Sequence, residues 1–287
     1  MTNNELQLDW LKCFLAVVDT GSLSRAALEV NRSQSAVSMQ IKKLEAATGR
    51  QLLSRSPKHM HLTEDGLTLF SYARQMVSLH TEIQTVFHGS ELHGKIQLGV
   101  TEDYAAHYLT PLLKRFSSRH SEIEIELVCD QSSKLIPLIQ SEKLDLALVS
   151  RSSPAQGTFL FEEPMVWVGS PYFELWRRKT IPVAVFEEHS LARNNAISSL
   201  VQQGREFKIV YHSASLAGQY AAVEGGLAIA ALTQCSVPSS LKILGEEQGL
   251  GDIKPLEVSV LRSRTSARKS SVDHLHNLII ASLKRAI

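Results

Sequence analysis

The apolar positions at the start of the chain fall at helical intervals. Leu8, Leu11, Leu15 and Val18 give a first helix with one apolar face. Thr20-Gly21-Ser22 predicts its end, with Gly21 as C-cap and Ser22 as the next N-cap. A short second helix holds Leu23, Ala26 and Ala27, small enough for close packing, and Asn31-Arg32-Ser33 makes a turn. Ser33 is placed to cap a third helix, in which Val37, Ile41 and Leu44 face a core and which ends near Thr48-Gly49. A long helix is predicted from Thr63 to His88: Thr63 caps it, Glu64 and Asp65 occupy its first turn, and no proline interrupts. Leu69, Met76 and Ile83 are spaced by seven, with Tyr72, Leu79 and Val86 as a companion seam. That pattern predicts a stripe buried against a partner helix; packing on its own domain is the alternative. Gly89-Ser90 and His93-Gly94 read as a hinge.

From Lys95 the period changes from helical to alternating. Residues 96–100, 123–128 and 144–149 read as strands, separated by helical spacing over 109–116 and 133–140. Strand, helix, strand, helix, strand implies a parallel sheet covered by helices. A more blurred second set follows at 166–169, 183–186, 209–211, the run 223–232 with Gly225-Gly226, and 256–261. Val272, Leu275, Ile279 and Leu283 put one apolar face on a C-terminal helix over 272–287.

The third helix's outer face carries Gln34, Ser35, Ser38 and Lys42. Gln reads adenine in two-point fashion, Ser reaches base edges or phosphate, and Lys neutralises phosphate. Residues 32–61 hold Arg32, Lys42, Lys43, Arg50, Arg55 and Lys58 against Glu45 alone, whereas the whole chain is only +1. A basic patch on a near-neutral chain is the electrostatic footprint of a DNA-binding face; a solvated basic surface is the plainer alternative. In the stretch 55–61, Pro57 fixes a turn and Arg55 and Lys58 are placed to grip phosphates. His59 and His61 read as solvated residues rather than a metal pair, because no third ligand is near in sequence.

The run AAxxV-xx-SQSAVSxQIxxLE-xxxG-xxLxxR resembles the N-terminal signature of LysR-type transcriptional regulators. It matches at Ala26, Ala27, Ser33, Gln34, Ala36, Val37, Ser38, Gln40, Ile41, Leu44, Glu45, Gly49, Leu52 and Arg55, and Leu62-Thr63-Glu64-x-Gly66 matches the start of that family's linker helix. Val30 and Leu53 depart from the pattern by apolar exchange, and Met39 stands where a longer polar or basic residue is common. The later segments more distantly resemble the branch of the LrhA, HexA and PecT regulators of motility and exoenzyme genes. The resemblance implies an α/β chain with an N-terminal winged helix-turn-helix over 1–62, a linker helix over 63–90 and a two-lobed, periplasmic-binding-protein-like effector domain over 91–287. Lobe one would take about 91–163 and 260–287, and lobe two 164–259. It further implies antiparallel pairing of linker helices in a homodimer, a homotetramer, a two-fold promoter site on double-stranded DNA, and contact with RNA polymerase. The DNA-contacting set expected is Arg32, Ser33, Gln34, Ser35, Ser38, Gln40, Lys42, Arg55, Lys58 and His59.

Ligands of such sheets sit beyond the carboxyl ends of strands, where helix N-termini point donors into the crevice. That rule selects Thr101, Glu102 and Asp103; Gln131, Ser132 and Ser133; Ser150 and Arg151; Phe186; and His212 and Ser213 as candidate effector contacts. The hydroxyls and Arg151 favour a small organic acid, whereas Glu102, Asp103, Glu187 and Glu188 oppose a strongly anionic one if they face inward. Trp167, Phe186 and Tyr211 are candidates for an aromatic slot or for simple core.

Composition narrows the rest. Cys13, Cys129 and Cys235 are far apart and have no metal-binding spacing; Cys129, beside the expected pocket, leaves a redox role open. No phosphate-cradling glycine loop, nucleophile elbow or His-based metal pattern is present. We therefore expect no catalytic activity and no cofactor or metal. The alternative is a small-molecule-binding or enzymatic α/β domain with a DNA-binding appendage. Without a signal-peptide pattern or long apolar run, a cytoplasmic protein with no membrane partner is expected.

Overall fold

The computed structural model describes residues 5–55, 60–87 and 93–284. The described residues divide into two units, 5–87 and 93–284.

The first unit begins with α1 (Leu8–Thr20), α2 (Leu23–Glu29) and α3 (Gln34–Thr48), followed by the hairpin strands β1 (Leu53–Arg55) and β2 (Met60–Leu62) and by α4 (Glu64–Phe87). Gly21 and Gly49 stop α1 and α3 in the left-handed region, where a side chain would be strained. Asn31, also left-handed, turns the chain between α2 and α3. Ser33 Oγ accepts from the Ala36 N–H at 3.2 Å, capping α3. Ser22 stands at the N-cap of α2, but its side chain makes no cap bond. Trp10, Leu11, Phe14, Val17, Ala26, Val37, Ile41, Leu44 and Leu52 form the core, and Phe70 and Ala73 of α4 join it.

Three residues of the signature and linker motifs, Glu45, Thr63 and Gly66, acquire physical reasons. Glu45 Oε1 accepts from the N–H groups of Leu52 and Leu53 at 2.9 and 3.2 Å, holding the hairpin against α3. Thr63 Oγ1 donates to Gln51 O and accepts from the Gly66 N–H at 3.0 Å. A Cβ on Gly66 would meet Leu52 O at 2.1 Å, so only glycine lets α4 start so close to the hairpin.

α4 has two apolar sides. Phe70, Ala73, Arg74 and Val77 face the head, where Arg74 pairs with Asp19 of α1. Tyr72, Met76, Leu79 and Ile83 are exposed. Leu69, expected in the outward seam, packs instead against the head core. It lies one position from Phe70 and four from Ala73, on the inward side of the helix. The Val86 side chain lies outside the described residues. No described helix is long and apolar enough to cross a membrane.

The second unit is built on one nine-stranded sheet. Its strands are β3 (Gly94–Val100), β4 (Ile123–Cys129), β5 (Leu146–Ser150), β6 (Thr158–Gly169), β7 (Ile181–Val185), β8 (Phe207–His212), β9 (Ile229–Thr233), β10 (Lys242–Leu244) and β11 (Ile253–Arg262). The order is β4-β3-β5-β11-β6-β9-β7-β8, with β10 also on β6. β3 is parallel to β4 and β5, and β7 to β8 and β9. β6 and β11 run antiparallel between these two sets. Each half has a core on both sheet faces. α6 (Thr110–Ser117) and α10 (Ser270–Leu283) cover one face of the first half, and α7 (Ser132–Gln140) covers the other. α8 (Leu191–Gln202) and α9 (Leu216–Glu224) cover opposite faces of the second half. β3 leads into α6 through a helical turn, α5 (Glu102–Tyr104), and a π-helical turn, Ala105–Leu109.

Two sequence expectations change here. Leu127, an apolar position of the strand expected over 123–128, is exposed on β4, the sheet's edge strand. Trp167 is core, packed with Trp176 and Val183, and Tyr211 packs against the α9 side of the second half. Neither forms an aromatic slot.

Candidate functional site: a helix face and an interlobe cleft

α3 separates its residues by side. Val37, Ile41 and Leu44 are buried, whereas Gln34, Ser35, Met39, Lys42 and Lys43 are exposed and Ser38 is half-exposed. Some of the expected DNA contacts are engaged within the head. Gln34 Oε1 accepts from Ser24 Oγ at 3.0 Å, Ser33 Oγ lies 3.0 Å from Ser35 Oγ, and Arg32 pairs with Asp9 at 2.7 Å. Gln40 departs from the outward set: it is half-buried and its Oε1 is enclosed, because it neighbours Ile41 on the flank of the core face. Lys58 and His59 lie outside the described residues, as does the Arg55 side chain.

In the second unit, a cavity of about 340 Å³ opens between the two halves of the sheet. One wall carries Thr101, Glu102 and Asp103 after β3, Gln131, Ser132 and Ser133 at the start of α7, and Ser150 at the end of β5. The other carries Phe186 after β7, Ser190, Leu191 and Ala192 at the start of α8, and Ser215 and Leu216 at the start of α9. Ile136 and Leu256 add apolar surface. Three hydrogen bonds cross the opening. Gln131 Nε2 donates to Ala214 O at 2.7 Å, the Leu216 N–H donates to Glu102 Oε2 at 2.7 Å, and Thr233 Oγ1 donates to Asp103 Oδ2 at 3.0 Å. The N-cap positions of α7 and α8 make no side-chain cap bond; the Lys134 N–H of α7 is bonded to Gln131 O, and the N–H groups of Ser132, Ser133, Leu191 and Ala192 remain for a bound anion.

Eight of the eleven expected effector contacts meet at this cavity, and three do not. Arg151 is drawn away by Glu257 on β11, 2.8 Å distant, and by Pro154 O. His212 is exposed, and Ser213 turns its hydroxyl toward the Ser215 N–H. The start of α8 was missed because its run, LARNNAISSLVQ, has almost no apolar periodicity.

Burial shapes the acid–base chemistry around the cleft. Ser150 Oγ lies 2.8 Å from Tyr104 Oη, and the enclosed Tyr104 phenol is pushed well up. Cys235 is pushed up to about 12 by burial and by Glu163, whose carboxylate accepts from Tyr108 and from the Cys235 N–H. Burial and Glu102 raise the Cys129 thiol, making it a poor thiolate for redox chemistry. Burial also raises Asp103, against the opposing hydroxyls of Thr101 and Thr233 and the Tyr104 N–H.

For a carboxyl group raised in the folded state, ionisation costs stability. That cost is absent well below the unfolded value and complete above the folded one. Asp103→Asn is therefore expected to raise the melting temperature at neutral pH, with the gain fading as the pH falls toward about 4. Calorimetric melts across that range check this; a variant that melts lower at neutral pH would show the carboxylate to be stabilising.

A small helical head presenting one polar helix face, together with a two-lobed α/β unit enclosing a cleft, defines a DNA-binding regulator with an effector-binding domain. Residues 8–67 match the family described as bacterial regulatory helix-turn-helix protein, lysR family, and residues 89–284 match the LysR substrate binding domain. The chain belongs to the LysR family of transcriptional regulators. It is 33% identical to the HTH-type transcriptional regulator DgdR of Burkholderia cepacia, over 89% of this chain and 87% of that protein. It is 30% identical to the regulator PecT of Dickeya dadantii, over 85% and 78%. Its fold is similar to that of CrgA, a LysR-type transcriptional regulator from Neisseria meningitidis, with a TM-score of 0.70 and 24% identity over 97% of this chain and 99% of that one. Members of the family bind DNA through the helix-turn-helix, bind small-molecule effectors through the second domain, and form oligomers. This chain is such a regulator.

Proposed function

We propose that this regulator grips a two-fold promoter site as a dimer or a tetramer, in the cytoplasm, and that effector binding alters its DNA bending or its contact with RNA polymerase. The observation that carries the DNA reading is the division of α3, with Val37, Ile41 and Leu44 buried and a polar, cationic side left outside. Gln34, Ser35 and Ser38 are assigned to base edges, and Lys42, Arg32, Arg55, Lys58 and His59 to phosphates. Lys42 has no ion-pair partner among the described residues, which supports its assignment to an external anion.

The effector we infer is a small, partly apolar organic acid. The first turns of α7 and α8 offer N–H groups to its carboxylate, and Ile136, Phe186, Leu191 and Leu256 offer apolar walls. Its binding would favour one arrangement of the lobes, and α4 would carry that preference to the spacing of the two α3 helices.

A gel shift against the gene's own upstream region tests the DNA reading. Affinity is expected to fall steeply with salt. Gln34→Ala is expected to weaken specific binding by about tenfold or more, and Ser38→Arg to do the same by crowding the groove. Mass by light scattering is expected to be unchanged in both. A salt-insensitive shift, or a change of mass, would overturn the assignment of this face.

A further inference from the structure

We infer that the acid bound in the interlobe cleft also carries a cationic amine, so that the effector is a zwitterion of the amino-acid type; this rests on the organic-acid reading above. Among the described residues lining the cavity are three carboxylates, Glu102, Asp103 and Asp130, and no Lys or Arg. Asp130 is neutralised by Lys134, 3.1 Å away on the adjoining turn. Arg151, the nearest cation in sequence to the β5 end of the cavity, is committed to Glu257. The donors to Glu102 and Asp103 are neutral: the Leu216 N–H, the Thr101 and Thr233 hydroxyls and the Tyr104 N–H.

Two adjacent residues therefore bring carboxylates to a cavity whose lining holds no Lys or Arg, with His189 as its one basic side chain. A purely anionic ligand would add like charge to a partly desolvated site, where repulsion is stronger than in water. An ammonium group reverses that term. Each carboxylate oxygen accepts more than one hydrogen bond, so Glu102 and Asp103 retain capacity for its N–H donors. The two ends of a zwitterion then find separate places. The ammonium goes to the Glu102–Asp103 corner, and the carboxylate to the free N–H groups that begin α7 and α8. A cavity of about 340 Å³ suits a small metabolite, and the apolar walls take a short aliphatic side chain.

Titration calorimetry on the full-length protein with matched probes tests the inference. The probes are the common small and branched aliphatic amino acids, the corresponding α-hydroxy acids, the acids lacking any α substituent, and the amines lacking the carboxylate. One amino acid is expected to bind at least about tenfold tighter than its hydroxy acid. Glu102→Gln is expected to remove most of that preference, read as the ratio of amino-acid to hydroxy-acid affinity. Hydroxy or unsubstituted acids binding as tightly as the amino acids would overturn the ammonium and leave the organic-acid reading standing. Amines binding as tightly as amino acids would instead overturn the organic-acid reading. Absence of binding across the whole set would overturn both.

Discussion

Met76→Glu combined with Leu79→Glu is expected to leave the protein monomeric and to lower its affinity for a two-fold DNA site by about a hundredfold or more. These residues lie with Tyr72 and Ile83 on the α4 side turned away from the head, and all four are exposed by more than two fifths, Met76 least at 44%. Covering four such side chains on each of two helices would contribute on the order of 5–10 kcal/mol before association costs. Two carboxylates per helix would replace that gain with repulsion and desolvation. The head itself should be unharmed, because Phe70, Ala73 and Arg74 hold α4 to α1 from the other side. Its melting should therefore change little. Light scattering and sedimentation read the mass, and a gel shift reads the affinity. A double variant that keeps the parental mass would remove α4 from the interface.

The second large effect is one of stability. Asp145→Ala is expected to cost about 2–3 kcal/mol and to lower the melting temperature by roughly 5–10 °C. Asp145 is buried at the start of β5 and joins three separate parts of the chain. Oδ2 accepts from the Gln97 N–H of β3 at 2.9 Å, Oδ1 accepts from Lys269 Nζ at 2.8 Å, and the backbone oxygen accepts from the Ser263 N–H at 3.0 Å. Removal of the carboxylate strands the Gln97 N–H and unties the segment that leads into α10. Lys269→Met should cost less than about 1 kcal/mol, because that ammonium is half-exposed and water replaces its partner. Thermal melts of both variants decide the matter. Equal losses would mean that the ion pair, rather than the buried acceptor, supplies the stability.

The head was legible because each of its elements is written locally. Gly21, Asn31, Ser33 and Gly49 stop or cap helices by rules that need no distant contact. The spacing of Val37, Ile41 and Leu44 shows which side of α3 is hidden. The effector unit was less so. β6 is twelve residues long, but only its final third has the apolar run expected of a buried strand; Glu162, Glu163 and Pro164 break the rest. α8 owes its place to Ala196 and Leu200 and to a buried hydroxyl, with Ser199 Oγ donating to Asp252 O, rather than to a continuous apolar stripe. At the cleft, the strand-end rule reached lining residues after β3, β4, β5 and β7 because each of those strands has an apolar run of its own, blurred as the β7 run is. It kept Arg151 because nothing nearby in sequence reveals Glu257 as its partner. The outward side of α4 was recognised, but Leu69 shared its heptad spacing and was separated only by the tertiary packing of the head.

β6 and β11 pass through both halves of the effector unit, and their pairing is interrupted between Ile253 and Leu256 and again between Val258 and Ser259. Such irregularities sharpen local coiling and are where a ribbon bends most easily. The halves are thus joined by a shared two-stranded ribbon instead of slack tethers. Motion about such a neck is a small torsion, resisted by every rung of the ladder beside it. A chemical signal read there is expected to pass as a torsion of this ribbon rather than as a wide swing of one half.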